Sequence, residues 1–348
     1  MTKIMGVPGI LGKCNFGKFD SKTYKHRRIA VDMYVVFHKY VMDEEIAKSM
    51  ALNGSVYIEH YYELVRKYLQ NFIDDGFEIY LVYDGNQMKY KITENDRAQK
   101  RLGCFIKEEW LGAVEITPQQ MFNFENYIKF HPFMRDNQPI DVPYIVAPFE
   151  ADAQLAYLFK QGIVDSVLTN DSDLIIYGVK HILMIRKSGI ETYDTEEDAG
   201  KDAITVNQIN LEKLWLFGFL IGCDYAKGIK GIGIVKAFKI ICDSDLYGLA
   251  TKIDWEMFWN RLNVSKISKL VNKKVVGSME LHKPEYDLVR TIYNKQPIID
   301  PRDYKLKYLD GSDISEEKKD SYGKVYNTES VAKGIIDPFS GKEFQLIN

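Results

Sequence analysis

Seven carboxylates carry the chemistry open to this sequence: Asp32, Asp84, Glu150, Asp152, Asp171, Asp173 and Asp224. Six of them follow short apolar runs. Arg28-Ile29-Ala30-Val31 leads into Asp32, and Ile79 to Tyr83 leads into Asp84. Tyr144 to Ala147 precedes Glu150 and Asp152, and Ser166 to Thr169 precedes Asp171 and Asp173. Runs of this length read as buried strands. In an open parallel sheet, sites form beyond the carboxyl ends of the strands. The six acids would then meet in one crevice, and Asp224, closing the apolar stretch that ends Leu220-Ile221-Gly222-Cys223, could supply a seventh. Carboxylates gathered this closely repel one another unless cations neutralise them. Ligands that are all oxygen favour Mg²⁺, with Mn²⁺ as a substitute. Two such ions about 4 Å apart can activate a water and stabilise the leaving oxygen of a phosphodiester. Any one of these acids could simply cap a helix or close a turn. Their coincidence at all four strand ends is what points to metal.

The elements that must position them alternate. Helical patterns at Tyr57 to Ile73 and Glu150 to Lys160 separate the strand-like runs. This implies an α/β fold: a mostly parallel sheet with helices on both faces. Residues 89–140 are charged, aromatic and broken by prolines, and read as an excursion above the sheet. Asn207 to Cys223 reads as an apolar helix followed by a Gly-rich hairpin, residues 244–283 as short helices, and Ser312 to Asp320 as a polar loop.

Composition sets bounds. The 348 residues, 46% hydrophobic and 27% charged, can bury a large core as one large domain or two ordinary ones. Cys14, Cys104, Cys223 and Cys242 form no Cys-x-x-Cys pair, so neither a zinc site nor a disulfide framework is expected, which favours a reducing compartment. The longest apolar run, Leu214 to Cys223, is too short for a membrane span, and no secretory signal is expected. The net charge of −3 argues weakly against nucleic acid, but Tyr225 to Lys283 holds eleven Lys and Arg against five Asp and Glu, a local +6. Acids that hold metal in one place and bases that hold phosphates in another are the split a nuclease needs. Lys230-Gly231-Ile232-Gly233 with Lys236 could let backbone N–H groups approach a phosphate, independent of base sequence. An ordinary glycine turn is the plainer alternative.

Several segments together resemble the flap endonuclease and exonuclease 1 superfamily of structure-specific 5′ nucleases, most of all exonuclease 1. They are Met5 to Leu11, Ala30-Val31-Asp32-Met33-Tyr34, Val82-Tyr83-Asp84-Gly85, Val146 to Leu158 with its Glu-Ala-Asp-Ala-Gln-Leu-Ala-Tyr, Asn170 to Leu174 and Gly222-Cys223-Asp224-Tyr225. The resemblance implies that all seven acids bind two catalytic metals. It implies a nuclease core over residues 5–240, with a helical arch at about 89–140 and a helix–two-turn–helix at about 207–240. A helical duplex-binding extension would cover 241–300, and 301–348 would return over the core or be partly disordered. The implied reaction is Mg²⁺-dependent 5′-to-3′ exonuclease action on duplex DNA with 5′ flap cleavage, in repair, recombination or replication. A flap endonuclease proper and a non-catalytic junction binder are the alternatives.

The resemblance also assigns roles residue by residue. Family members carry a Lys and an Arg seven residues apart on an arch helix, which help neutralise the phosphate. Lys91 stands at the Lys position, but Ala98 occupies the Arg position and Arg97 comes one residue early. His38 matches a His that stacks on a base, and Gly6 an N-terminal glycine that approaches DNA. Four residues precede Met5, so either Met5 is the true start or they must be accommodated near the substrate. Lys230, Gly231, Gly233 and Lys236 match the duplex-gripping turn, which in the family also holds K⁺. Here Ile221 and Gly228 replace serines that can help bind that ion, leaving backbone carbonyls. DNA is the implied partner, the chain is expected to be monomeric, and no sliding-clamp motif is seen in its tail. The nucleus is the implied location in a eukaryote.

Overall fold

The computed structural model describes residues 6–41, 43–53, 58–195, 213–242 and 279–344, together with Glu256. Readings that fall on Met5, on 207–212 and on most of 244–283 lie outside the described residues.

Among those residues, seven strands form one sheet in the order β1-β9-β8-β7-β2-β3-β6. They are β1 (Gly17–Lys18), β2 (Arg28–Asp32), β3 (Glu78–Tyr83), β6 (Tyr144–Val146), β7 (Ser166–Leu168), β8 (His181–Arg186) and β9 (Gly189–Asp194). The four strands read from sequence form one parallel block that ends at the β6 edge. β7, β2, β3 and β6 are parallel neighbours, with Val31 opposite both Leu81 and Leu168. Ile29, Ala30 and Val31 are wholly buried, which is why β2 reads as an unbroken apolar run rather than an alternating one. The β8–β9 hairpin and β1 were not anticipated. The hairpin's signal was the β-branched and aromatic content of Ile190, Thr192 and Tyr193 after a two-residue turn at Lys187-Ser188. Two small antiparallel pairs complete the strands: β4 (Phe133–Arg135) with β5 (Gln138–Ile140), and β10 (Pro297–Ile299) with β11 (Leu306–Tyr308).

Helices α1 (Met33–Tyr40), α2 (Glu44–Asn53) and α3 (Glu59–Asp74) lie between β2 and β3. α3 buries Tyr61, Tyr62, Val65, Leu69, Phe72 and Ile73, one stripe at helical spacing. Residues 89–140 are not a single excursion. α4 (Glu94–Ile106) and α5 (Trp110–Ala113) bury no side chain, whereas α6 (Pro118–Phe130) sinks Met121, Phe124 and Tyr127 into the core. The apolar spacing of α6, started by a Thr117–Gln120 capping box, makes the difference. After β6 come α7 (Ala151–Lys160), α8 (Asp173–Ile176), α9 (Trp215–Ile221), α10 (Ile234–Cys242) and α11 (Met279–Lys295). The Gln154 side chain on α7 bonds both Ile299 O and Ile299 N, at 2.8 and 2.9 Å, which ties β10 to the core. The chain then runs back toward the end of β3. Asn86 Nδ2 donates to Lys324 O at 3.0 Å, and Tyr144 Oη donates to Lys333 O, just past α12 (Thr328–Ala332), at 2.8 Å.

Candidate metal centre

A cavity of about 410 Å³ opens at the carboxyl ends of the central strands. Asp32, Asp84, Glu150, Asp152, Asp171 and Asp224 line it, as do Lys91 and Arg97. Asp173 stands just behind Asp171, and its backbone N–H donates to Asp171 Oδ1 at 2.8 Å.

Each acid is held by the local fold. Asp32 caps α1, accepting from Tyr34 N at 3.1 Å and Val35 N at 3.4 Å, while its other oxygen accepts from Thr169 Oγ1 at 2.7 Å. Asp84 accepts from Ala151 N at 2.7 Å, so the amino end of α7 fixes it. Glu150, the N-cap of α7, accepts from Tyr225 Oη at 2.6 Å. Asp173 accepts from Tyr293 Oη at 2.7 Å. Thr169, Tyr225 and Tyr293 were missed from sequence. Tyr225 beside Asp224 was within reach of a motif reading, but nothing near Tyr293 marked it.

Asp32 and Asp84 each bond the amino end of a helix, and this does not exclude a metal role for them. Capping leaves other lone pairs free for the crevice. Burial, with Asp84 close by, pushes Asp32 up to about 7. Burial likewise pushes Asp171 up to about 7, with Asp224 and Glu150 adding to it, and Asp84 up to about 6. Asp152 and Asp173 are also held well above the usual carboxylate range, by burial and by neighbouring carboxylates. A divalent cation would relieve this repulsion, and the all-oxygen donor set fits Mg²⁺ or Mn²⁺. Two side-chain cations supply part of that positive charge. Lys91 Nζ bonds Glu150 Oε1 and lies 3.4 Å from Asp224 Oδ2, and Arg97 donates to that same oxygen at 2.6 Å. Burial acts to lower Lys91, but Glu150 and Asp224 hold it well above its ordinary value.

The expected Lys–Arg pair on one helix is corrected. α4 begins at Glu94, so Lys91 precedes it and helical angular spacing does not relate the two residues. Ile92 N–H donates to Asp224 O at 2.9 Å, and this pins the Lys91 segment against the Asp224 turn. Ala98 also lines the cavity, where the family Arg was expected.

The other candidates lie outside the cavity wall. His38 packs its ring edge to face on Tyr34 at 4.4 Å, and burial pushes it down to about 4. Tyr34, not His38, faces the crevice. Gly6, at φ +85°, lies against the metal acids: a Cβ there would meet Asp173 Oδ1 and Ser172 Oγ at 2.5 Å, and would also strike Asp171. Lys230, Gly231 and Gly233 are exposed between α9 and α10, and Lys236 Nζ donates to Gly231 O at 2.9 Å, closing the turn. Gly228, at φ +74°, sits where a Cβ would strike the Ile221 backbone, so a serine could not stand there in this packing.

The strand order and the acid crevice define a class of protein, and the comparisons agree on it. Residues 141–224 match the XPG I-region family. The chain is similar to the flap endonuclease/exonuclease 1 superfamily. It is 30% identical to exonuclease 1 of Xenopus laevis, over 68% of this chain and 33% of that protein. It is 28% identical to the DNA damage-inducible protein DIN7 of Saccharomyces cerevisiae, over 68% of this chain and 57% of that protein. The chain thus spans from a third to somewhat over half of these relatives. Two solved structures share the fold. One is human GEN1 in complex with Holliday junction DNA (TM-score 0.53, 16% identity, 83% of this chain and 66% of that one). The other is the catalytic core of Rad2 in complex with DNA substrate (TM-score 0.52, 18% identity, 80% and 81%).

Proposed function

We propose that this chain is a Mg²⁺-dependent 5′-to-3′ exonuclease of duplex DNA that also cuts 5′ flaps, using two divalent cations. The observation that carries the reading is the crevice in which six carboxylates from five chain segments meet Lys91 and Arg97. Bound cations would supply an activated water and stabilise the leaving oxygen. Asp84, Glu150, Asp152, Asp171, Asp173 and Asp224 would hold them, with Asp32 tied in through Thr169. Tyr225 and Tyr293 orient Glu150 and Asp173. Lys91 and Arg97, each on a carboxylate in the free protein, can pass to an entering phosphate as that carboxylate takes a cation. The Lys230 to Lys236 turn would grip the duplex backbone, with K⁺ left to backbone carbonyls. Eukaryotic relatives support work in the nucleus.

The test is a panel of 5′-labelled blunt, nicked and flapped duplexes, with Mg²⁺ or with chelator, for wild type and Asp171→Ala. The reading expects short 5′ products from paired ends, dependent on Mg²⁺ and absent in the variant, with duplex binding kept. Long fragments released only from flaps would favour a flap endonuclease proper. Binding without cleavage would favour a junction binder.

A further inference from the structure

At the other end of the sheet, three side chains meet that the crevice does not use. His181 opens β8 and Asp194 ends β9, directly opposite each other in the ladder. His26 comes from the loop ahead of β2, and its ring stacks on that of His181 with centroids 3.6 Å apart and planes 21° apart. His26 Nε2 lies 3.4 Å from Asp194 Oδ2, and His181 Nε2 lies 3.6 Å from Asp194 Oδ1. Among the described residues, this is the one set of three His, Cys, Asp or Glu side chains whose ligand atoms all fall within 4.8 Å of one another.

We propose that His26, His181 and Asp194 form a binding site for a borderline transition-metal cation, Zn²⁺ in the first instance. His181 Nδ1 lies 2.9 Å from Asp165 O, and that carbonyl oxygen fixes the proton on Nδ1 and leaves the Nε2 lone pair toward Asp194. A ligating histidine whose second nitrogen donates to a backbone carbonyl is the usual orienting arrangement at zinc sites. Aromatic neighbours hold both rings: Tyr24 against His26 at 5.3 Å and Phe159 against His181 at 5.6 Å.

A tetrahedral Zn²⁺ sets its ligand atoms about 3.3 Å apart, close to the 3.4 and 3.6 Å that separate Asp194 from the two rings, and the rings would turn out of their stack to aim both nitrogens at one ion. Nitrogen ligands select against Mg²⁺, so this site and the carboxylate crevice would take different metals. His26 and Asp194 also border a polar hollow of about 150 Å³, from which water can complete the coordination. The cation would staple the loop after β1 to the β8–β9 hairpin.

The test is Zn²⁺ titration of the full chain in saturating Mg²⁺, for wild type, His26→Ala, Asp194→Asn and the Asp171→Ala/Asp173→Ala double variant. One equivalent should bind to wild type and to the double variant, and affinity should fall by about tenfold or more in His26→Ala and Asp194→Asn. Zn²⁺ should also raise the melting temperature of wild type in excess Mg²⁺. Zn²⁺ binding that survives His26→Ala and Asp194→Asn unchanged, or that disappears with the crevice acids, overturns the site. If the single variants fail to fold, wild type with Co²⁺ decides: intense visible absorption of a tetrahedral nitrogen-ligated ion supports the site, and its absence overturns it.

Discussion

Tyr293, on α11, donates its phenolic hydrogen to Asp173 Oδ2 at 2.7 Å across 120 residues of chain. The bond fixes the carboxylate of a buried acid just behind the crevice wall, and favours its ionised form. Tyr293→Phe should weaken Mg²⁺ dependence by about tenfold, the size expected for a residue that orients a ligand. The assay is cleavage rate against Mg²⁺ concentration, and high Mg²⁺ should restore most of the rate. A rate lost equally at all Mg²⁺ concentrations would remove the orienting role.

Gly6→Ala should abolish most cleavage without unfolding the chain. A Cβ at φ +85° is strained, and it would enter the space of Asp171, Ser172 and Asp173. Gly12→Ala is the control, since a Cβ there meets nothing within 4 Å. Equal activity in the two variants would show that the N-terminal segment tolerates displacement from the acids.

Lys91→Met should move two measurements in opposite directions. Lys91 Nζ bonds Glu150 in the free protein, so its removal leaves that carboxylate to cations and should tighten Mn²⁺ binding without DNA. Single-turnover cleavage should slow, by about 10²-fold for the loss of one charged transition-state donor. Calorimetry and quenched cleavage assays read the two effects. Weaker Mn²⁺ binding in Lys91→Met would show that the ammonium supports the metal site rather than competing with it.

The crevice acids should set the pH dependence of stability. Asp32 and Asp171, pushed up to about 7, and Asp84, pushed up to about 6, keep protons that the unfolded chain releases near 3.8. The native state therefore binds more protons, and stability falls as pH rises through that window. His38, pushed down from 6.5 to about 4, works the other way below 6.5. Three raised carboxylates outweigh the one lowered histidine. In chelator, the denaturant midpoint should therefore drop between about pH 4 and about pH 7, and Mg²⁺ should restore much of it. A flat profile in chelator would mean that the carboxylates already find compensating charge.

Lys236→Ala should weaken duplex binding modestly and reduce the salt slope by about one phosphate's worth. Lys236 closes the turn on Gly231 O, so part of the loss would come from a looser turn. An unchanged slope would leave Lys236 a purely structural cap.

What the sequence determined by itself is the part written in local order. Unbroken apolar runs had to become buried parallel strands, and acids directly after them had to surface at one edge of the sheet, because strand direction fixes which end a following residue occupies. Six of the acids and the four parallel strands were legible for that reason, whereas Asp224 follows a helix and Lys91 was reached only through the family resemblance. Three things were decided only when distant segments packed. Ile92 on Asp224 O pins Lys91 ahead of α4, although the family resemblance had put the Lys and the Arg on one helix. Tyr293 reached Asp173, and Tyr34 rather than His38 took the crevice wall. His26, His181 and Asp194 met through a hairpin register and a loop, 168 residues of chain separating His26 from Asp194. Periodicity reports which face of an element is buried, but not which residue from another element arrives to cover it, and each of these contacts is of that second kind.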